Sequence, residues 1–469
     1  MDNLCPHFII FPFMSQGHTI PLLYLCRLLR RHSITITIVT TAGNSPRIRP
    51  SLRDIDVSLL ELPFPENVDG VPPGVENTDK LPSMSCFLPF VKSTKLMQKN
   101  FEQALETLHP PVSCIISDGF LGWTLKSAQK FSVLRVVFTG MSNFSYTMYQ
   151  ILETENPHAC TKSPDEPFVI SSHFPKIKLT RNDFQPPEVK PSLTSGPYVD
   201  FMLEQFKSTE MSHGIIVDSF YELESCYADF WNKKFGPKAF CIGPLCMAAA
   251  ALPREDVETP CRYMQWLDEK WDKGEDVLYV AFGSQAEVAT EQLLEIANGL
   301  EESHVNFLWA LKSKGLEENF KERVKNRGRV VKEWVDQLEI LRHDAVKGFL
   351  SHCGWNSVME SISARVPLLA LPLMAEQHVN ARFVAEVIGV GLRTMPRGRT
   401  VRGFVEAEEV ERKVRELMGG EKGAEVRKKA AEYGGAACEA MKEGGSSWRT
   451  LDLLIADVYE KVVHAKHCS

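Results

Sequence analysis

Short apolar runs alternate with amphipathic helical stretches in two separate series along this 469-residue chain, and that repeated alternation restricts the fold more than any single residue does. Residues 7–13 form an aromatic-rich apolar run ending at Ser15-Gln16-Gly17, which reads as a buried strand and a turn. A helix follows from about Thr19. Pro21 fits its first turn, where an amide has no intrahelical partner, and Leu22, Leu25, Leu28 and Leu29 supply its apolar stripe. Residues 34–39 then form a strand, and strand–helix–strand order predicts parallel pairing with helices packed on the sheet. Residues 57–60, 112–117 and 134–138 continue as strands, with a helix over 123–130. A second series has strands at 277–282, 305–311, 346–350 and 367–371. Its helices lie at 291–303, from about Asn356, and at 406–417, 424–441 and 447–463.

Two such series predict an α/β protein of two doubly wound domains with a cleft between them. The expected boundaries are 1–245 for the first domain, 246–262 for a linker, 263–445 for the second domain and 446–469 for a C-terminal helix. Residues 62–89 hold six prolines and residues 155–200 are similarly irregular; both read as long surface loops.

Composition narrows the function. Lys plus Arg number 53 against 60 Asp plus Glu, a net charge of −7, and no basic block suggests a nucleic-acid partner. The 12 cysteines are scattered without a CxxC pair, as expected of reduced thiols in a cytoplasmic protein. Residues 3–26 carry no charged side chain, but Pro6, Pro12, Gly17 and Pro21 interrupt them and Asp2 precedes them. Neither a secretory signal nor a membrane span is expected. No GxGxxG follows a strand, and P-loop, HExxH and GxSxG motifs are missing, which disfavours dinucleotide oxidoreductases, P-loop NTPases, zincins and serine hydrolases. Asp54-Ile55-Asp56 matches a short metal-binding pattern and reads as solvated carboxylates at a strand start; no metal site is expected. Asn143-Phe144-Ser145 is a glycosylation sequon without the secretory signal that would give it meaning.

The most informative segment is residues 351–360, Ser-His-Cys-Gly-Trp-Asn-Ser-Val-Met-Glu. It follows an apolar strand and opens a helix, with Asn356 or Ser357 able to cap. Free amides, hydroxyls and a nearby His352 make an anion cradle able to hold a diphosphate. The same letters also suit a well-capped core helix with a satisfied histidine.

Trp334-Val335-Asp336-Gln337, His343, Phe349, residues 351–357, Glu360, Val366-Pro367, Pro372 and Glu376-Gln377 resemble the donor-binding signature of plant family 1 UDP-glycosyltransferases, over its full length. Gly17-His18, Ser117-Asp118 and Phe282-Gly283-Ser284 extend the resemblance over nearly the whole chain. It implies the GT-B fold, two Rossmann-like domains facing across a cleft, with the C-terminal helix crossing back onto the first. It also implies roles. Trp334 stacks on uracil and the Val335 backbone holds its edge; Gln337 and Glu360 hold ribose hydroxyls. His352, Asn356, Ser357 and Ser284 contact the diphosphate. Trp355 (through its backbone), Glu376 and Gln377 grip the sugar, with Thr139 a further candidate. UDP-glucose is the implied co-substrate, no separate cofactor is expected, and a monomer is expected. Three departures stand out: Asp336 where the family commonly has Pro, Arg365 where it has Gly, and Glu376 where it has Asp.

His18 follows the first strand, at the carboxyl edge where open α/β sheets place ligands, and Asp118 ends another strand of the same sheet. A carboxylate on one imidazole nitrogen fixes the tautomer and stabilises the imidazolium formed when the other takes a proton. By resemblance these are the base and its orienting partner, which implies an inverting single displacement of UDP by an acceptor hydroxyl. The acceptor is expected to be a small phenol such as a flavonoid, bound by Met14 and Ser15, Met84 and the residues up to Phe90, Phe120, Phe144 and parts of 180–205. Those side chains suit a core equally well. A nucleotide-sugar epimerase and a non-catalytic binder of UDP-sugars or phenolics are the alternatives.

Overall fold

The computed structural model describes residues 6–184, 196–248, 261–286, 288–312 and 318–467. The chain divides into two compact units. One comprises Met1–Asn143, Ser192–Ala249 and Ala440–Ser469; the other comprises Phe144–Pro191 and Ala250–Glu439. Most of the expected linker, residues 249–260, lies outside the described residues, as does part of the 180–205 stretch.

The first unit is built on a parallel sheet. Its strands are β1 (His7–Phe11), β2 (Thr35–Thr41), β3 (Ser58–Leu62), β4 (Cys114–Asp118), β5 (Leu134–Thr139), β6 (Gly214–Val217) and β7 (Lys238–Cys241). Among the described residues they lie in the order β3-β2-β1-β4-β5-β6-β7. Successive side chains of a strand leave opposite faces, so Phe8 and Ile10 enter one apolar cluster while Ile9 and Phe11 enter another. Helix Gln16–Arg31 begins three residues before the expected start, and Leu22, Leu25, Leu28 and Leu29 are buried against the first cluster. The C-terminal helix Ser446–His467 adds Leu451, Leu454, Ile455 and Val458 to that same cluster.

The second unit repeats the plan with β8 (Val277–Ala281), β9 (Asn306–Ala310), β10 (Gly328–Val331), β11 (Val346–Ser351), β12 (Leu368–Ala370) and β13 (Gly391–Arg393). Their order among the described residues is β10-β9-β8-β11-β12-β13. In each sheet the order reverses beside the first strand, between β1 and β4 and between β8 and β11. An open α/β sheet binds ligands outside the carboxyl ends of its strands at such a point.

Two expectations need correction. Residues 144–191, read as part of the first domain, belong to the second unit. The Phe144 ring stacks on Phe383 at 4.8 Å, Ser145 Oγ donates to Asn380 Oδ1 at 2.6 Å, and Arg382 donates to the buried Asp183 at 2.9 Å. No change in composition marks that crossing, because the chain leaves β5 directly into helix Asn143–Glu155. Second, residues 62–89 are not simply loop: Met84–Cys86 forms a turn of 3-10 helix that leads into helix Phe87–Ser93. Asp54 and Asp56 are solvent-exposed, as the sequence suggests. They pair with Arg27 and Arg30 of helix Gln16–Arg31. Among the described residues no cluster of His, Cys, Asp or Glu could hold a metal ion, and no helix is long and apolar enough to cross a membrane.

Candidate active site

The reversal in the first sheet brings two distant residues together. Phe11 of β1 lies opposite Ser117 of β4, so both strands end at the same level. Asp118 ends β4, and His18 stands in the first turn of the helix after β1. His18 Nδ1 and Asp118 Oδ2 are 2.7 Å apart, and the Phe120 amide donates to Asp118 Oδ1 at 2.9 Å. A carboxylate only accepts, so the shared proton sits on Nδ1 and Nε2 is the ring nitrogen able to take another. Asp118 is buried while the His18 side chain is 23% exposed, which leaves the imidazole reachable and its anchor shielded. The rings of Phe13 and Phe120 flank the imidazole with centres 5.6 and 5.3 Å from it and 5.2 Å from each other, and Phe87 packs on both of them. Gly140, just after β5, is also beside the ring: a Cβ there would meet His18 Cε1 at 3.6 Å.

Of the expected acceptor contacts, Phe120 lies at this ring and Met84 is exposed. Ser15 is buried at the head of helix Gln16–Arg31, its carbonyl accepting from the His18 and Thr19 amides. Phe144 is fully buried on Phe383 in the second unit and serves packing there, a correction its apolar letters could not supply. Phe13 is a neighbour of His18 that the sequence does not single out, since an aromatic within an apolar run looks like core, whereas Phe87 lies in the expected 84–90 stretch and packs on Phe13 and Phe120. Thr139 ends β5, where its hydroxyl accepts from the Met141 amide at 3.2 Å.

The reversal in the second sheet gathers most of the signature. Ala281 of β8 lies opposite Ser351 of β11. The turns that follow are Phe282-Gly283-Ser284 and His352-Cys353-Gly354, the second leading into helix Trp355–Ser363. Gly283 has φ +77°, and a Cβ on it would approach His352 Nε2 to 2.7 Å; one on Gly354 would approach to 2.6 Å. Both positions therefore exclude a side chain. Burial pushes the His352 imidazole down to about 4, so it stays neutral and acts as a hydrogen-bonding group rather than a cation. Its Nδ1 is buried without a hydrogen-bond partner among the described residues. Trp355 is the first residue of that helix, which puts its backbone amide at the terminus, and its buried ring packs near Phe383. Asn356 and Ser357 occupy the same first turn.

Gln337, Ser357 and Glu360 form a connected group. The Gln337 amide nitrogen donates to Ser357 Oγ at 2.9 Å and to Glu360 Oε2 at 2.6 Å. Asp336 is more than a loop residue: its side chain accepts from the Glu339 amide at 3.0 Å and caps helix Gln337–Leu341. Val335 stands between that cap and Trp334, whose indole is 59% exposed with the Lys312 ammonium 5.8 Å from its centre. An exposed flat ring is costly in water and suits a stacked ligand.

Glu376 and Gln377 start helix Gln377–Arg382. Gln377 Oε1 accepts from the Leu373 and Met374 amides at 3.0 Å each, so its NH2 group is the end turned away from that loop. Asn380, absent from the sequence reading, ties the turns together. Its Nδ2 donates to the Cys353 carbonyl at 3.0 Å and lies 3.4 Å from Glu376 Oε1, and its Oδ1 accepts from Ser145. It is fully buried.

Comparison with known proteins fits this arrangement. Residues 232–408 match the family model for UDP-glucoronosyl and UDP-glucosyl transferase. The chain is 47% identical to UDP-glycosyltransferase 90A1 of Arabidopsis thaliana over 467 residues, covering 96% of each. The chain belongs to the UDP-glycosyltransferase family. It is also 33% identical to UDP-glucose flavonoid 3-O-glucosyltransferase 7 of Fragaria ananassa, covering 96% of each chain. Among solved structures, UGT73P12 of Glycyrrhiza uralensis, complexed with glycyrrhetinic acid 3-O-monoglucuronide, is similar with a TM-score of 0.88 and 28% identity, covering 98% of this chain and 97% of that one. UGT2 of Phytolacca americana, complexed with UDP-2fluoro-glucose and pterostilbene, has a TM-score of 0.79 and 26% identity, covering 97% and 100%. As a UDP-glycosyltransferase of GT-B fold, the protein transfers a sugar from a UDP-sugar to an acceptor.

Proposed function

We propose that this UDP-glycosyltransferase moves glucose from UDP-glucose to a hydroxyl of a small phenolic acceptor such as a flavonoid, inverting the anomeric centre. The observation that carries the proposal is the 2.7 Å contact of His18 Nδ1 with a buried carboxylate, inside a ring of phenylalanines. His18 Nε2 takes the proton of the acceptor hydroxyl as that oxygen attacks C1 of the sugar. Asp118 holds the resulting imidazolium, and the C1–O bond to UDP breaks. A phenol, with a pKa near 10, gives up its proton to imidazole far less uphill than an alkyl alcohol does. Phe87 and Phe120, partly exposed and packed on the buried Phe13, offer such an acceptor flat apolar faces.

On the donor side, Trp334 stacks on uracil with the Val335 backbone at its edge, and Gln337 with Glu360 takes the ribose. The Trp355–Ser363 terminus, with Ser284, His352, Asn356 and Ser357, takes the diphosphate. Glu376 and the NH2 group of Gln377 take sugar hydroxyls, with Thr139 as a further contact. Glucose is favoured by the glucosyltransferase of Fragaria ananassa, by the UDP-2fluoro-glucose bound in the Phytolacca americana structure, and by Gln377 at the last signature position. We place the enzyme in the cytoplasm as a monomer, in keeping with free thiols at every described cysteine.

Incubating the purified protein with UDP-glucose and a panel of flavonoids and stilbenes should give hexose adducts by mass spectrometry. His18→Ala should lower kcat about 100- to 10,000-fold, the usual worth of a general base. UDP affinity by calorimetry should change little. Faster turnover with UDP-galactose or UDP-glucuronate would overturn the donor assignment, and a large loss of UDP affinity in His18→Ala would move that residue to the donor site.

A further inference from the structure

Arg135 is an anomaly in the apolar run of β5. It lies opposite Ile115 of β4, and its guanidinium is buried in the first unit. Burying a cation is costly unless its donors are satisfied, and this one has been given a cage of oxygens. Nε donates to Ser117 Oγ and to Thr124 Oγ1, both at 2.9 Å. Nη1 donates to Ser212 Oγ at 2.8 Å and Ser208 Oγ at 3.0 Å. Nη2 lies 3.5 Å from the carbonyls of Asp118 and Leu121.

The oxygens on the Nε and Nη2 side share a feature. They belong to residues 117–124, the turn that carries the carboxylate facing His18 and the Phe120 amide that holds the other carboxylate oxygen. A planar fork of five donors can grip both ends of a turn at once, whereas an ammonium is a point charge. We propose that Arg135 is a positioning residue for sugar transfer, fixing the 117–124 turn so that Asp118 stays aligned on the His18 ring. Arg135 sits behind the turn and touches neither donor nor acceptor in this assignment. The inference rests on the reading of His18 as the base.

The assignment predicts a split between turnover and donor binding. Misplacing a catalytic group by about 1 Å can cost on the order of 100-fold in rate. Arg135→Lys keeps the charge and loses the fork, so kcat, normalised to UDP-binding sites counted by calorimetry, should fall about tenfold. KM for UDP-glucose and the Kd for UDP should stay within about twofold, since every proposed donor residue except Thr139 lies in the second unit. Arg135→Met, if it folds, should fall further; if it does not fold, the lysine variant decides alone. Wild-type kcat per site in Arg135→Lys would overturn the inference, as would an equal loss of turnover and UDP affinity. His18→Ala measured alongside separates the two claims. Full turnover in His18→Ala removes the base and this inference with it, whereas an inactive His18→Ala beside a fully active Arg135→Lys removes the positioning role alone.

Discussion

Arg365 occupies the turn between helix Trp355–Ser363 and β12 with φ +61°, a left-handed conformation that favours glycine. It is an exposed residue whose stem lies over Gly434, where a Cβ would come within 2.4 Å of Arg365 Cγ. A non-glycine residue there stores roughly 1 kcal/mol or more of backbone strain. Arg365→Gly should therefore stabilise the protein by about 0.5–1 kcal/mol, read as a higher urea midpoint at unchanged slope. The sequence showed which residue departs from the family pattern, and the cost of the departure follows from the backbone angle. The same contrast runs through the donor residues. Resemblance to the family suggests Gln337, Glu360 and Gln377 for the donor, but not that Gln377 spends its carbonyl on the Leu373 and Met374 amides. Gln377→Glu keeps the shape and turns the NH2 group into an oxygen. It should raise KM for UDP-glucose about tenfold, because the donor to a sugar oxygen is lost and a second carboxylate stands beside Glu376. Unchanged KM would detach Gln377 from the sugar.

At the scale of elements, strand and helix order was legible because period-2 and period-3.6 patterns are local. Asn380 and Arg135 were not, because a buried polar residue is defined by partners far away in sequence. Buried histidines of the second unit give this a measurable consequence. Burial holds His352 at about 4, and burial with Arg402, Arg393 and Arg382 around it holds His378 at about 3, both below the ordinary 6.5. Between pH 7 and 4 the unfolded chain binds protons at these sites that the folded chain does not, so stability falls as pH falls. Asp218 acts in the opposite sense. Burial lifts its carboxyl from 3.8 to about 7, so the folded chain holds that proton and gains stability on acidification. With two imidazoles set against one carboxyl, the melting temperature should drop from pH 7 to pH 5. His378→Gln should make that drop smaller, and an equally steep profile in the variant would show that His378 does not carry it.

For the whole molecule, the chain visits the units alternately, and the final visit matters most. Residues 440–469 belong with a unit whose other segments end near residue 249. Leu451, Leu454, Ile455 and Val458 join Leu22, Leu25 and Ile36 in one apolar cluster, and the His32 ring sits 4.6 Å from that of Trp448. The amphipathic pattern of 447–463 announced a helix with one apolar face, but an amphipathic stripe does not name its partner. Residues 144–191 raise the same difficulty in reverse: their letters follow the first sheet while their packing belongs to the second. A fragment cut at residue 245 would lack the helix that covers Leu22 and Leu25 and would carry a segment built to pack elsewhere. It should aggregate by light scattering under conditions in which the full chain should not. A milder test keeps the chain intact. Leu454 is fully buried, and Leu454→Ala should cost about 2–5 kcal/mol through lost burial and the cavity left behind. UDP affinity at temperatures below the transition should be unchanged, because every proposed donor residue except Thr139 lies in the second unit. A variant that melts normally would show that the helix contributes little to the first core, and one that loses UDP binding while still folded would show that its influence reaches the donor site.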